Sequence, residues 1–259
     1  MRIATWNINS VRLRKKNILN FLKDKNIDII CLQETKTVDK DFPVDDFIQC
    51  GYLHNYFRGE KSYNGVAILS KLPIKKKEII NWCNKNDTRH LSVSILQNIT
   101  LHNFYVPAGG DIPDKKINLK FKHKLDFLQE MIKYFKADKS TNKIILGDFN
   151  VAPGVEDVWS HKQLIRVVSH TEIETKMFNE LLKFGSLLDI IRLKNNKLDK
   201  LFSWWSYRNK DWRKSNRGRR LDHILISKEL EPKVKKVHLY SEYRDMKNPS
   251  DHIPVVIEI

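Results

Sequence analysis

Lys143-Ile144-Ile145-Leu146-Gly147-Asp148-Phe149-Asn150 is the stretch on which the reading of this chain turns. Three apolar β-formers run into a glycine, then into a carboxylate and a carboxamide two residues apart. The pattern predicts a buried strand that delivers Asp148 and Asn150 to its C-terminal mouth, where α/β folds place ligands. Side chains alternate along an extended chain, so Asp148 and Asn150 can share one side while Phe149 anchors the other. Gly147 lets the backbone turn or approach a ligand closely. An acidic acceptor beside a neutral donor-acceptor suits the holding of a water and a phosphate oxygen. The same pair also suits an Asx-type turn after a strand, so the stretch alone leaves both readings open.

Immediately upstream, Ile117, Phe121, Leu125, Leu128, Ile132 and Phe135 are spaced 4, 4, 3, 4 and 3 apart, the apolar stripe of a long amphipathic helix. Further out, residues 2–8 read as a strand, and Ser10 is placed to cap a helix over about residues 11–25. Ile27–Leu32, Val66–Leu69, Leu91–Ile95 and Ile99–Val106 read as strands. Phe178, Leu181 and Leu182 mark another helix stopped near Gly185, and Leu201–Trp205, Leu221–Ile226 and Ile253–Ile259 complete the strands. Helices alternate with strands in places and hairpins run elsewhere, which predicts an α/β chain with mixed sheets. No linker, low-complexity tract or repeat divides it, so one domain over residues 1–259 is expected.

The chain carries 47 basic against 31 acidic residues, a formal charge of +16. Such a field attracts polyanions, nucleic acid first and anionic membrane second. No apolar run approaches the roughly 18 residues of a membrane span. The first residues read directly as a strand, with no apolar leader. Cys31, Cys50 and Cys83 are odd in number and lack paired metal spacing. A reducing, cytoplasmic setting is therefore expected.

Listing where the strands stop gives Asn7, Glu34, Tyr105, Asp148 with Asn150, Asp222, and Asp251-His252. Each has an ordinary explanation: a turn asparagine, a solvated acid, a half-buried aromatic, an acid paired to a nearby arginine. As a set they are the inventory of a phosphodiesterase. Glu34 is a hard oxygen ligand suited to Mg²⁺, with Asp251 as a second. Asp148 is placed to orient or deprotonate an attacking water. A bond from His252 to Asp222 would fix the imidazole beside the phosphoryl oxygens. Asn7, Asn150 and Tyr105 add donors that do not titrate near neutral pH.

Thr5-Trp6-Asn7-Ile8-Asn9, Leu32-Gln33-Glu34-Thr35-Lys36, Asn103-Phe104-Tyr105-Val106-Pro107, Gly147-Asp148-Phe149-Asn150, Arg220-Leu221-Asp222-His223 and Ser250-Asp251-His252-Ile253-Pro254-Val255 occur in that order. Together they resemble the exonuclease III family of apurinic/apyrimidinic endonucleases, within the endonuclease/exonuclease/phosphatase superfamily. The resemblance spans the chain from Asn7 to His252. It implies a four-layer sandwich of two mixed β-sheets packed face to face and flanked by helices. It implies a Mg²⁺-dependent nuclease, with Mn²⁺ as a substitute, that cuts 5′ to abasic sites in double-stranded DNA and clears damaged 3′ ends. Glu34 would be the principal metal ligand, with Asp251, Asn7, Asp148 and Asn150 around it. Asp148 would position the water, His252 with Asp222 would meet the phosphate, and Asn7, Asn150 and Tyr105 would hold it. Asn9 would be a further residue lining the site. A monomer with no membrane partner is expected.

Arg208, Lys210, Arg213, Lys214, Arg217, Arg219 and Arg220 stand together just before Asp222, interleaved by Trp212. A charge run often forms a solvated face. Its position here predicts that it borders the catalytic mouth, with Trp212, Arg213 and Arg217 as DNA contacts. Arg89 is a further candidate for the DNA backbone. Ala108 follows Tyr105-Val106-Pro107 where better-known relatives carry a polar amide, so one DNA-contacting side chain is missing. Two rival readings remain at this level: a sister phosphoesterase acting on lipid or inositol phosphates, and a DNA-binding module without catalysis.

Overall fold

A computed structural model describes residues 1–209 and 211–259. Its strands run in chain order β1 (Arg2–Asn7), β2 (Ile29–Gln33), β3 (His54–Arg58), β4 (Val66–Ser70) and β5 (Lys76–Glu78). Next come β6 (His90–Ser94), β7 (Thr100–Tyr105), β8 (Lys143–Asp148), β9 (Leu187–Asp189) and β10 (Trp204–Trp205). β11 (Gly218–Arg219), β12 (Asp222–Ser227), β13 (Lys236–Leu239) and β14 (Val255–Glu258) complete the set. One six-stranded sheet has the order β13-β14-β1-β2-β4-β3, the other β5-β6-β7-β8-β12-β9.

The two sheets share one plan. In each, a central parallel pair, β1 with β2 and β7 with β8, is flanked by antiparallel neighbours. Each pair is joined through a helix, Val11–Asp24 in the first and Leu119–Ala137 in the second. Both sheets are therefore mixed, as the sequence pattern implies.

Alternation explains the layers. Ile3, Ile29, Cys31 and Ile257 from one sheet meet Leu101, Ile144, Leu146 and Ile224 from the other in a single buried cluster. Intervening residues point outward. Ala4, Trp6 and Ile30 pack against Ile18 and Phe21 of the first helix, while Ile145 and Phe149 meet Phe121, Leu128 and Phe178. The stacking of helix, sheet, sheet and helix is the four-layer sandwich.

Local signals failed in a few places. Ser10 makes no side-chain cap; its backbone N–H donates to Glu34 O (2.7 Å), and that of Val11 to Thr35 O (3.1 Å). The helix start is satisfied by the Glu34 loop, a tertiary contact. Ile117 lies outside its helix and is exposed; the cap is Asn118, whose side chain accepts from Lys120 and Phe121 N–H. The helix before Gly185 runs through that glycine, and Ser186 turns left-handed to end it.

On the outer face of the second sheet, His90 Nε2 lies 3.2 Å from His102 Nδ1, both fully buried among Phe104 and Phe135. Burial pushes His102 down to about 4 and His90 well below its ordinary value, with the neighbouring His102 adding to the effect. The unfolded chain takes up these protons below pH ~6.5, whereas the folded chain resists. Stability is therefore complete above that pH and falls as pH drops toward 4. Urea midpoints should record a loss on the order of 3 kcal/mol from His102 across that window, and His102→Leu should flatten the slope.

Candidate active site

The rows that form the inter-sheet core continue upward as polar rows. Ile3 and Thr5 lead to Asn7, Leu101 and Asn103 to Tyr105, Ile144 and Leu146 to Asp148, and Ile226 and Ile224 run back to Asp222. Between core and site lies a buried polar belt. Gln33 Nε2 donates to Thr5 Oγ1 (3.0 Å) and Asn103 Oδ1 (2.7 Å), while Asn103 Nδ2 donates to the Leu32 and Ala67 carbonyls (3.0 Å each).

Above the belt the expected residues meet. Asn7 Nδ2 donates to both Glu34 Oε1 and Asp148 Oδ2, 2.9 Å each. Asn150 donates its backbone N–H to Asp148 Oδ1 (2.9 Å) and its Nδ2 to Asp148 Oδ2 (3.1 Å). His252 Nδ1 donates to Asp222 Oδ2 at 2.7 Å, and its Nε2 faces Asp148 Oδ2 at 3.7 Å. Asp251 accepts from Asn9 Nδ2 (3.1 Å) and Trp204 Nε1 (2.9 Å). Glu34, Tyr105, Asp148, Asn150, Asp251 and His252 line one cavity of about 260 Å³.

The backbone is shaped for this. Gly147 has φ 136°, and a Cβ there would lie 1.9 Å from Phe104 O, so only glycine lets β8 pass β7 at this level. Asn150 (φ 52°), Glu34 (φ 51°) and Lys36 (φ 52°) are left-handed without being glycine. Such positions cost about 1–3 kcal/mol each and persist where surrounding contacts over-determine them. Here those contacts are the hydrogen bonds of the site.

Burial opposes the Glu34 charge, but Lys36, with the Asn7 hydrogen bond, holds this carboxyl below the ordinary glutamate range. Burial raises Asp148, with the His252 charge pulling it back. Burial likewise opposes a charged His252, yet Asp222 and Asp148 outweigh it and raise the imidazole, which keeps its proton at neutral pH. Burial, then Glu34, raises the Tyr105 hydroxyl well above its usual value, so it stays a donor.

The described donors fit a hard divalent cation. Atoms of Asp148, Asp222 and His252 lie within 4.8 Å of one another, but His252 already bonds Asp222. Glu34 offers the better oxygen: the Lys36 ammonium lies 2.7 Å from its Oε2 and donates to Asn9 Oδ1 at 2.7 Å. A positive charge is thus already bracketed by oxygens there. Asn7 sits between the two carboxylates. Its Oδ1 accepts the Asn9 N–H (3.1 Å), so Nδ2 faces the carboxylates and bridges them.

The described members of the basic run sit in different surroundings. Arg220 is buried and bound to Asp157 and Asp189. Trp212 and Arg213 bond Asp245 and line a separate cavity of about 330 Å³. Arg217 lies over the Trp159 ring, 4.8 Å from its centroid. Lys210 falls outside the described residues. Only Arg219 of the described run lines the cavity that holds Asp148 and His252, with Trp204 beside it. Arg89 covers the Tyr105 ring at 4.8 Å and bonds Asp87 (2.8 Å), at the edge of the site.

Sequence reasoning also passed over Lys124. This lysine is fully buried, pairs with the equally buried Glu174, and donates to Asn150 O at 2.6 Å. It lies three residues after Phe121 and four before Leu128, a charge inside an apolar stripe, and that spacing was the available signal.

A mixed-sheet sandwich carrying an Asp–His pair, a second aspartate and a separate glutamate at one mouth is the framework of a phosphoester hydrolase. The chain belongs to the endonuclease/exonuclease/phosphatase family, whose model matches residues 4–252. It is 30% identical to an exodeoxyribonuclease III of Haemophilus influenzae, with 100% of this chain and 99% of the relative aligned. An exodeoxyribonuclease of Bacillus subtilis is 26% identical over 100% of this chain and 99% of its own. Among solved structures, an AP endonuclease from Archaeoglobus fulgidus superposes with a TM-score of 0.93 at 30% identity, covering 100% of this chain and 99% of that one. A Neisseria 3′ phosphatase bound to a product DNA hairpin gives 0.92 at 28% identity, with 100% and 99% covered.

Removing Lys124 takes the paired cation from the buried Glu174 carboxylate and leaves it the Ser169 and Thr171 donors alone at hydrogen-bond range. Lys124→Met should lower the unfolding free energy by about 3–5 kcal/mol, read from urea denaturation.

Proposed function

We propose that this chain is a metal-dependent DNA-repair nuclease of the exonuclease III type. It hydrolyses the phosphodiester 5′ to abasic sites in duplex DNA and removes nucleotides or blocking groups from 3′ ends. The observation that carries this reading is convergence: both sheets deliver Asn7, Glu34, Asp148, Asp222 and His252 to one mouth. That shared site also supports one catalytic domain along the chain. The +16 charge suits a polyanionic partner, and the names of the similar proteins point to DNA. No helix among the described residues is long and apolar enough to cross a membrane. The three cysteines are free, which fits a reducing cytoplasm, and a monomer suffices for a site made within one chain.

Asp148, fixed by Asn7 and Asn150, orients the attacking water and accepts its proton. The His252 imidazolium, held by Asp222, faces the charge that develops on the phosphoryl oxygens, and Tyr105 adds a neutral donor. Mg²⁺, or Mn²⁺ in its place, held at Glu34 with Asp251 adjacent, would supply further neutralisation of that charge. The water oxygen bonds to phosphorus, the P–O3′ bond breaks with its electron pair on O3′, and O3′ takes a proton from solvent to become the hydroxyl.

A labelled duplex with one abasic analogue should be nicked in Mg²⁺ and intact in EDTA; nicking that ignores EDTA would remove the metal from this account. Binding to the same duplex should weaken steeply with salt, and a flat response would exclude phosphate contacts as its source. Asp148→Asn should lower single-turnover cleavage by roughly 10²–10⁴-fold, while gel-shift affinity for the duplex stays near that of the unaltered protein.

A further inference from the structure

Two adjacent arginines in the chain have opposite electrostatic fates. Arg220 is neutralised by Asp157 and Asp189. Arg219 forms no ion pair among the described residues. Its Nη1 donates only to neutral oxygens, Val168 O (3.0 Å) and Ser169 Oγ (2.7 Å). Its Nε is buried and has no hydrogen-bond partner among the described residues. Burial disfavours its charge, yet a guanidinium stays ionised in proteins. The nearby Glu174 carboxylate favours that charge but is already paired with Lys124, so the partly desolvated guanidinium keeps a donor to offer an incoming anion.

The register fixes where that anion would lie. Arg219 pairs with Trp204 across β10 and β11, and Trp204 bridges to His252 on its other side. Directly opposed residues project to one face. The guanidinium covers the Trp204 ring at 5.4 Å and lines the same cavity as Asp148, Asn150 and His252. It is therefore a second cation in the pocket that receives the phosphate.

The reactions assigned to this site share one leaving group, the 3′-oxygen. Their substrates differ in the other ester position on phosphorus. An internal bond carries a sugar there through O5′, whereas a 3′-terminal phosphate carries a bare anionic oxygen. A phosphate monoester bears about −1.5 to −2 charges near pH 7, against one for a diester. We propose that Arg219 is a specificity-determining residue that binds the free anionic oxygen of a 3′-terminal phosphate and favours its removal over cleavage of internal diesters. The inference rests on the nuclease reading above.

The test compares the wild-type protein with R219Q and R219K in Mg²⁺. One substrate is a nicked duplex ending in a 3′-phosphate; the other is a duplex with an internal abasic analogue. R219Q should lower kcat/KM on the 3′-phosphate about tenfold more than on the abasic duplex, close to 1.4 kcal/mol. Most of the loss should appear in KM, because the extra charge is present before reaction. R219K keeps the charge without the planar fork and should retain an intermediate ratio; it carries the same comparison if R219Q does not fold. Equal losses on both substrates would mean that Arg219 merely holds the Val168–Ser169 backbone. A larger loss on the abasic duplex would place its contact on an internal phosphate. Either result, or no change, overturns the proposal. A wild-type protein inactive on both substrates would instead overturn the nuclease reading and this inference with it.

Discussion

Everything in this molecule depends on the two-residue repeat of extended chain acting on two sheets that share an inner face. One row of side chains per strand enters that interface. Ile144 and Leu146 enter as core, and Asp148, two residues on, enters as a carboxylate lining the candidate site. The same holds for Ile3, Thr5 and Asn7. A slip of one residue in β8 would turn Leu146 and Asp148 to the helix side together and lose core and site at once. Stability and function are thus written on one face.

The transition from apolar to polar along each row is buffered by the Gln33–Asn103–Thr5 belt. Carboxylates set directly on aliphatic packing would face the full desolvation penalty. Amides that bond one another and the strand carbonyls supply a buried floor with fixed dipoles. Above it, Asn7 holds Glu34 and Asp148 apart while donating to both. The strained backbone at Glu34 and Asn150 sits at this boundary, where strand geometry gives way to site geometry.

Charge is arranged against the overall composition. In a strongly basic protein, the mouth concentrates carboxylates, each matched to a designated donor or cation. Asp222 meets His252, Glu34 meets Lys36, and Asp251 meets Asn9 and Trp204. Behind the mouth, the buried Lys124–Glu174 pair holds the Asn150 carbonyl from beneath. The broad positive field gathers a polyanion from a distance, whereas the local acids suit a divalent cation and an attacking water.

The sequence by itself determined most strand rows and the polar residues near their ends, and with them the candidates Glu34 and Asp148 after β2 and at the end of β8, and Asp222 and His252 at and before the starts of β12 and β14. Those signals are local, because alternation and strand ends are properties of a few consecutive residues. Short edge strands such as His54–Arg58 and Lys76–Glu78 were not legible, since they are half exposed and owe their form to neighbours. Only the tertiary structure decided the fates of the basic run. Arg213, Arg217, Arg219 and Arg220 look alike as letters, but their roles depend on carboxylates and rings far away in the chain. A charge's meaning lies in what it is packed against, and only the folded chain supplies those partners.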